Sequence, residues 1–289
     1  MIRRHTLSLL FGLSVLLPLP AMAETRLPVL VPITGFLALE GTSQRNGALL
    51  ALKHANAGIK AEIIDTGATP EGAVTAFERA MSGPRAPAVV APILGTQMLA
   101  LLPLAEREKV ALITISGTAK ITELDSKFVF RFFPGDEVVK LAQARYTVEK
   151  LGKRKPALLY QTTAYGQSGR QHLAQQFARL GAPLVYEEGL APTAKDLLPA
   201  LIKAQAAGAD VLILHLHAPS TALAISQARA QGITLPIVAG SAMHQPATAD
   251  LLSPRDLAGV CAETAASPIS GGSPQMARFT QDYRKEFAA

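Results

Sequence analysis

The chain has 289 residues, 49% of them hydrophobic and 17% charged, with one cysteine, no tryptophan and a formal net charge of +6. That balance excludes a disordered chain and a disulfide scaffold, and the length suffices for one large domain or two ordinary ones. The Lys and Arg residues are scattered, and their one cluster (KLGKRKP, 150–156) has no interleaved aromatics, which argues against a nucleic-acid partner.

In chain order, the first segment concerns export. Arg3, Arg4 and His5 precede an apolar run over 7–19, and Ala21-Met22-Ala23 supplies the small-x-small pattern that signal peptidase cuts. The run is too short to span a bilayer comfortably, no stop-transfer pattern follows, and no cysteine is placed to carry a lipid. Residues 1–23 are therefore read as a signal peptide cleaved after Ala23, leaving an exported, soluble chain. Cys261, in the apolar stretch LAGVCAE, reads as a buried inert thiol without a disulfide partner.

Short apolar runs then alternate with amphipathic stretches. Strands are predicted at 27–31, 62–65, 88–91, 110–115, 157–160, 184–186, 211–214 and 237–239, each nearly continuous in hydrophobic residues, as in parallel sheets covered on both faces. Helices are predicted at 43–57, 70–81, 97–108, 136–151, 167–180, 195–207 and 220–231. Thr69-Pro70 marks a start, and Gly152, Gly181, Gly208 and Gly232 mark stops. About thirty residues per unit implies βαβ units and open parallel sheets. The rhythm breaks once, at an extended stretch over 128–132 closed by Pro134-Gly135, with four units on either side. The simplest account is an α/β fold of two lobes, residues 24–132 and 133–258, with a crossing between them. Residues 259–289 are read as crossing back to the first lobe and stopping before it is complete.

In open parallel sheets, ligands bind beyond the carboxyl ends of the strands, where helix N-termini present unpaired N–H groups. Those ends here read PITGFLALEGTS, PILGTQ, TISGTAK, QTTAYGQSG, LHLHAPS and AGSAMH, all rich in small and hydroxyl residues. Ser116 and Thr118 can be turn residues or ligand contacts, Tyr165 a loop aromatic or a cleft residue, and Glu40 a solvated or a cleft carboxylate. His215, His217 and His244 read as polar strand-end residues rather than metal ligands, since nothing supplies a third ligand. GQSG (166–169) lacks the spacing of a nucleophile elbow, and no nucleotide-binding glycine motif is present, so no catalytic residues and no cofactor are assigned.

Taken together, PITGFLALEGTSQRNGALLALKHANAG, VVAPILGTQMLALLPLAEREKVALITISGTAK, FRFFPGDE, AYGQSG and ALAISQARAQGI resemble, in this order, the type I periplasmic substrate-binding proteins of branched-chain amino-acid (Leu/Ile/Val-type) ABC transporters. The resemblance covers essentially the whole chain after the signal peptide. It implies a two-lobed clamp in the periplasm, each lobe a parallel sheet flanked by helices, that captures a small polar solute (an amino acid or a related carboxylate or amide) and presents it to the permease subunits of the inner membrane. An exported sensor using the same clamp is the alternative. Carried over position by position, Gly95-Thr96 falls on the loop whose hydroxyl receives a ligand carboxylate. Ser116 and Thr118 fall on the residues that bind the carboxylate and ammonium of an amino acid, and Tyr165 on a second-lobe tyrosine. There are departures. Glu40 replaces an aromatic residue of the first loop, His217 replaces a second-lobe aromatic, and Ser241 stands near the acidic residue that holds the ammonium. An α-amino acid thereby loses its main cation partner unless Glu40 takes that role from the opposite lobe.

Overall fold

The computed structural model describes residues 25–267 and 272–287, and the expected signal peptide lies outside them. The first sheet is built from Thr25–Val31 (β1), Ile59–Asp65 (β2), Ala88–Val90 (β3), Ala111–Thr114 (β4) and Val129–Arg131 (β5), in the order β2-β1-β3-β4-β5, all parallel. Its helices are Ala38–Ala55 (α1), Pro70–Met81 (α2), Gly95–Glu108 (α3) and the single turn Lys120–Glu123 (α4). One face is sealed by α2 and α3, whose Phe77, Met98 and Leu101 pack on Leu30, Val89 and Leu112. Thr69 caps α2 by accepting from the Gly72 N–H at 3.0 Å, with Pro70 at the first helical position.

The second sheet has the order β10-β9-β8-β6-β7, again parallel, from Pro156–Gln161 (β6), Tyr186–Leu190 (β7), Val211–His215 (β8), Ile237–Ala239 (β9) and Val260–Ala262 (β10). Asp136–Arg145 (α5, continued by a wider turn over Tyr146–Lys150) and Ala164–Arg179 (α6) cover one face. Leu198–Ala206 (α7) and Ala218–Ala230 (α8) cover the other. Gly152, Gly181, Gly208 and Gly232, the expected stops, all adopt positive φ between 65° and 75°. The short turn Ser241–His244 and the single helical turn Pro246–Ala249 (α9) follow β9. The final helix, Pro274–Phe287 (α10), lies against α1 through Lys53–Glu286 (2.7 Å) and His54–Asp282 (3.0 Å). No helix among the described residues is long and apolar enough to cross a membrane.

Four details differ from the sequence reading. Residues 129–131, expected to be a bare crossing segment, pair with β4 as an edge strand, leaving Phe130 50% and Phe132 74% exposed. Residues 260–262, assigned to the returning segment, pair with β9 and extend the second sheet. β7 begins where its strand was expected to end, because an edge strand tolerates the polar run Glu187-Glu188 that a hydrophobicity pattern skips. Helix α1 starts five residues early, at Ala38, so Glu40 sits in a helical first turn and not in a loop. Gly41 permits this: a Cβ there would stand 2.0 Å from the Pro32 carbonyl oxygen. Cys261 is free, as expected, but only half-buried.

Candidate functional site

The carboxyl ends of the two sheets face one another, and the lobes touch through hydrogen bonds that join them directly. The Ala164 N–H at the start of α6 donates to Thr96 Oγ1 (3.1 Å), and the Ala119 N–H donates to Ser168 Oγ (3.0 Å). The Ala218 N–H at the start of α8 donates to Glu40 Oε1 (2.6 Å) across a sequence separation of 178 residues. Glu40 thus places a carboxylate on the positive end of a helix from the opposite lobe. The lobes are closed on each other.

Between them lies a cavity of about 300 Å³. The first lobe contributes Leu37 and Glu40 from α1 and its approach, Ile93 and Leu94 before α3, and Ile115 and Gly117 after β4. Phe133 belongs to the crossing. The second lobe contributes Tyr165, His217, Ser241, Ala242, His244, Gln245, Pro246 and Thr264. The first wall is therefore apolar apart from one carboxylate, while the second carries most of the polar groups.

Of the residues singled out in the sequence, Glu40, Tyr165, His217 and Ser241 meet at this cavity. Gly95, Thr96, Ser116 and Thr118 stand behind its wall. Ser116 and Thr118 are buried, with their hydroxyls 3.5 Å from each other. Alternation after β4 instead presents Ile115 and Gly117 to the space. Gly95 is where α3 meets Thr118, since a Cβ there would stand 1.9 Å from Thr118 Oγ1. Thr96 closes the lobes through Ala164. Periodicity gives no signal for the parity of a strand end, and this is why Ile115, Gly117 and Phe133 escape the sequence reading.

Burial governs the electrostatics. Glu40 is 4% exposed, and burial pushes its pKa up to about 7 against the opposing effect of the Ala218 N–H. Its Oε2 is buried without a partner, as are Tyr165 Oη and Gln245 Oε1. His217 is neutral, its pKa pushed down to about 3 by burial, with Nε2 3.2 Å from Thr163 Oγ1. Burial likewise holds His215 well below the ordinary imidazole range. His215 Nε2 lies 3.0 Å from the Tyr165 carbonyl oxygen, which can only accept, so Nε2 carries the proton and Nδ1 is an acceptor left unpaired. The Tyr165 ring stacks on His215 (centroids 4.0 Å apart) and lies near His217 (5.2 Å), so both rings hold it in place. Gly169 makes room for this: a Cβ there would stand 2.0 Å from His215 Nε2.

Beside the cavity, the fully buried Lys140 of α5 is ion-paired with Glu263 and lies 3.8 Å from Asp136. Asp136 opens α5 just after the first crossing, and Glu263 follows β10 at the second. The trio ties the two crossings together. Burial raises the Asp136 pKa to about 6 even against the attraction of Lys140. The sequence singles out neither Lys140 nor Glu263, which are 123 residues apart.

The sequence profile of the periplasmic binding protein family matches residues 24–289. An amino acid binding protein of Pseudomonas aeruginosa is 28% identical over 222 residues, covering 74% of this chain and 59% of that protein. The chain thus spans less than two thirds of the length of that curated relative. Among solved structures, a leucine-binding protein of Thermotoga maritima superposes with a TM-score of 0.82 at 21% identity, covering 92% of this chain and 77% of that one. A fatty acid ABC transporter substrate-binding protein of Thermomonospora curvata superposes with a TM-score of 0.79 at 20% identity, covering 91% and 69%. At such identities these superpositions carry the fold, a pair of parallel sheets flanked by helices.

Proposed function

Because the chain belongs to the periplasmic binding protein family, we propose that it is a periplasmic solute-binding protein. It captures a small polar solute between its lobes and delivers it to the permease subunits of an ABC transporter, with no catalytic step. The observation that carries this reading is the cavity of about 300 Å³ that lies between two directly bonded lobes, with three unpaired buried polar atoms on residues of its wall. Buried polar atoms with unmet hydrogen-bonding demand are costly, and a solute that meets the demand only in the closed form shifts the lobes toward closure.

In this reading Glu40, Tyr165, His217 and Ser241 touch the solute. Thr96, Ser116 and Thr118 act from behind, with Gly95 allowing α3 to close on Thr118. The first lobe is 24–132, the second begins at 133, and the lobes swing about the crossings after β5 and β10. A thermal-shift screen of the secreted protein against amino acids, small carboxylates, amides and amines tests the proposal. A solute present at a hundred times its dissociation constant is expected to stabilise the protein by about 2.7 kcal/mol. Absence of a shift with every class, on protein that melts cooperatively, overturns it.

A further inference from the structure

The wall of the cavity states what it lacks. Among the described residues no lysine or arginine lines it. The unpaired atoms on its lining residues are Gln245 Oε1, which only accepts, Glu40 Oε2, which accepts when the carboxyl is ionised, and Tyr165 Oη, which can accept as well as donate. The unmet demand is chiefly for donors. Just behind Tyr165 stand two further carboxyl groups, Asp136 and Glu263, each with one oxygen unpaired and only Lys140 to balance them. Burial first, and these carboxyl groups after it, raise the Tyr165 pKa well above its ordinary value.

A carboxylate solute needs the opposite: N–H groups left open at helix N-termini. On the second lobe four of those groups are already taken. The Ala218 N–H donates to Glu40, the Ala164 N–H to Thr96 Oγ1, the Gly166 N–H to Thr163 Oγ1, and the Ser241 N–H to Glu263 Oε1 (3.3 Å). At these four positions an oxygen of the protein itself already stands where a carboxylate oxygen would go. The remainder of the wall, with Leu37, Ile93, Leu94, Ile115 and Phe133, suits an apolar body.

Building on the binding-protein reading above, we infer that the cavity selects a small primary amine with an apolar body and no carboxylate, its ammonium group held by Glu40 Oε2 with Tyr165 Oη beside it. Glu40 then does two tasks with its two oxygens: Oε1 bonds the opposing lobe and Oε2 bonds the solute, so capture and closure share one carboxylate. Burial of an ammonium beside an unpaired carboxylate satisfies both groups, whereas a solute carboxylate would set two like charges side by side in a low-dielectric space.

Titration calorimetry with an isosteric set tests this: 3-methylbutylamine, leucine, and 4-methylpentanoate, extended by the linear primary amines from methylamine to hexylamine and by 2-phenylethylamine. At least one amine is expected to bind tenfold or more tightly than leucine, with 4-methylpentanoate the weakest. Glu40→Gln is expected to weaken the best amine at least tenfold while leaving the far-ultraviolet circular dichroism unchanged. Should that variant fail to fold, Glu40→Asp, which retracts the charge by one methylene, is expected to cost several-fold, and the wild-type ranking decides by itself. Leucine or the acid binding more tightly than every amine, or an amine indifferent to Glu40, overturns the amine assignment while leaving the binding-protein reading intact. No amine binding overturns this inference, and the broader screen above then decides whether the parent reading falls with it.

Discussion

In the second lobe the central strand β8 is buried along its whole length, with α5 and α6 on one face and α7 and α8 on the other. In the first lobe β4 alternates: Leu112 and Thr114 are buried under α2 and α3, while Ala111 and Ile113 are only half-buried and the following Ile115 is 39% exposed. That second face is met by α1 and by Phe279 of α10, which leave a groove of about 530 Å³ over Val90, Ile113 and Ile115. Two sheets of the same strand order thus differ in how much of their apolar surface is removed from water. The covered sheet is expected to be the stabler unit and the open one to loosen first. The contrast extends to the cavity, where the open lobe supplies apolar wall and one carboxylate and the covered lobe supplies the ordered polar groups.

The contrast can be broken most directly by truncating each core. Phe177→Ala, under the second sheet, is expected to cost about 4 kcal/mol, whereas Ile113→Ala, on the half-open face, should cost about 1–2 kcal/mol. Urea denaturation measures both, and equal losses would remove the asymmetry. Lys140→Met comes next. It leaves Asp136 and Glu263 buried without their cation and is expected to cost about 3 kcal/mol, while Lys53→Met, at an exposed pair with Glu286, should cost under about 1 kcal/mol. Similar losses would mean that the crossings are not held by the buried trio.

A smaller effect depends on pH. The folded protein holds the Glu40 proton more tightly than the unfolded chain, with a pKa of about 7 against 4.5. The wild type therefore loses stability as pH rises from 4.5 to 7 and carries the whole penalty above 7. Glu40→Gln lacks that penalty, so without solute it should be more stable than wild type by about 3 kcal/mol at pH 8, shrinking toward pH 5. The groups facing Glu40, Tyr165 and His217, stay neutral over this range, and their contributions cancel between the two proteins. Chemical melts at five pH values would reveal the trend, and a gap that does not change with pH contradicts it. The smallest effect sharpens the link between the lobes: Ser168→Ala, which frees the Ala119 N–H, should cost about 1 kcal/mol.

Much of this architecture was legible because its signals are local. Helix stops at Gly152, Gly181, Gly208 and Gly232 follow from the left-handed backbone that only glycine adopts cheaply, and the start of α2 from Thr69-Pro70. The signals that misled were local too. Continuous apolar character at 110–115 suggested a strand covered on both faces, yet nothing in those residues says whether a helix arrives to cover the second. Glu187 and Glu188 hid an edge strand, and Gly41 gave no warning that α1 would close on Pro32 and carry Glu40 into a helix. Ser116 and Thr118 have the right chemistry for a ligand, but strand parity turned Ile115 and Gly117 to the cavity in their place.

The amino-acid sequence by itself determined the βα units, their glycine stops and the hydroxyl-rich strand ends, because each depends on neighbours within a turn or a strand. Tertiary structure alone decided which polar atoms were left without partners. Glu40 meets Ala218 and Lys140 meets Glu263 only when the lobes and their crossings come together, across 178 and 123 residues. Hydrogen-bonding demand belongs to pairs of groups in space, and so the unpaired atoms of the cavity are fixed by closure and not by any one segment.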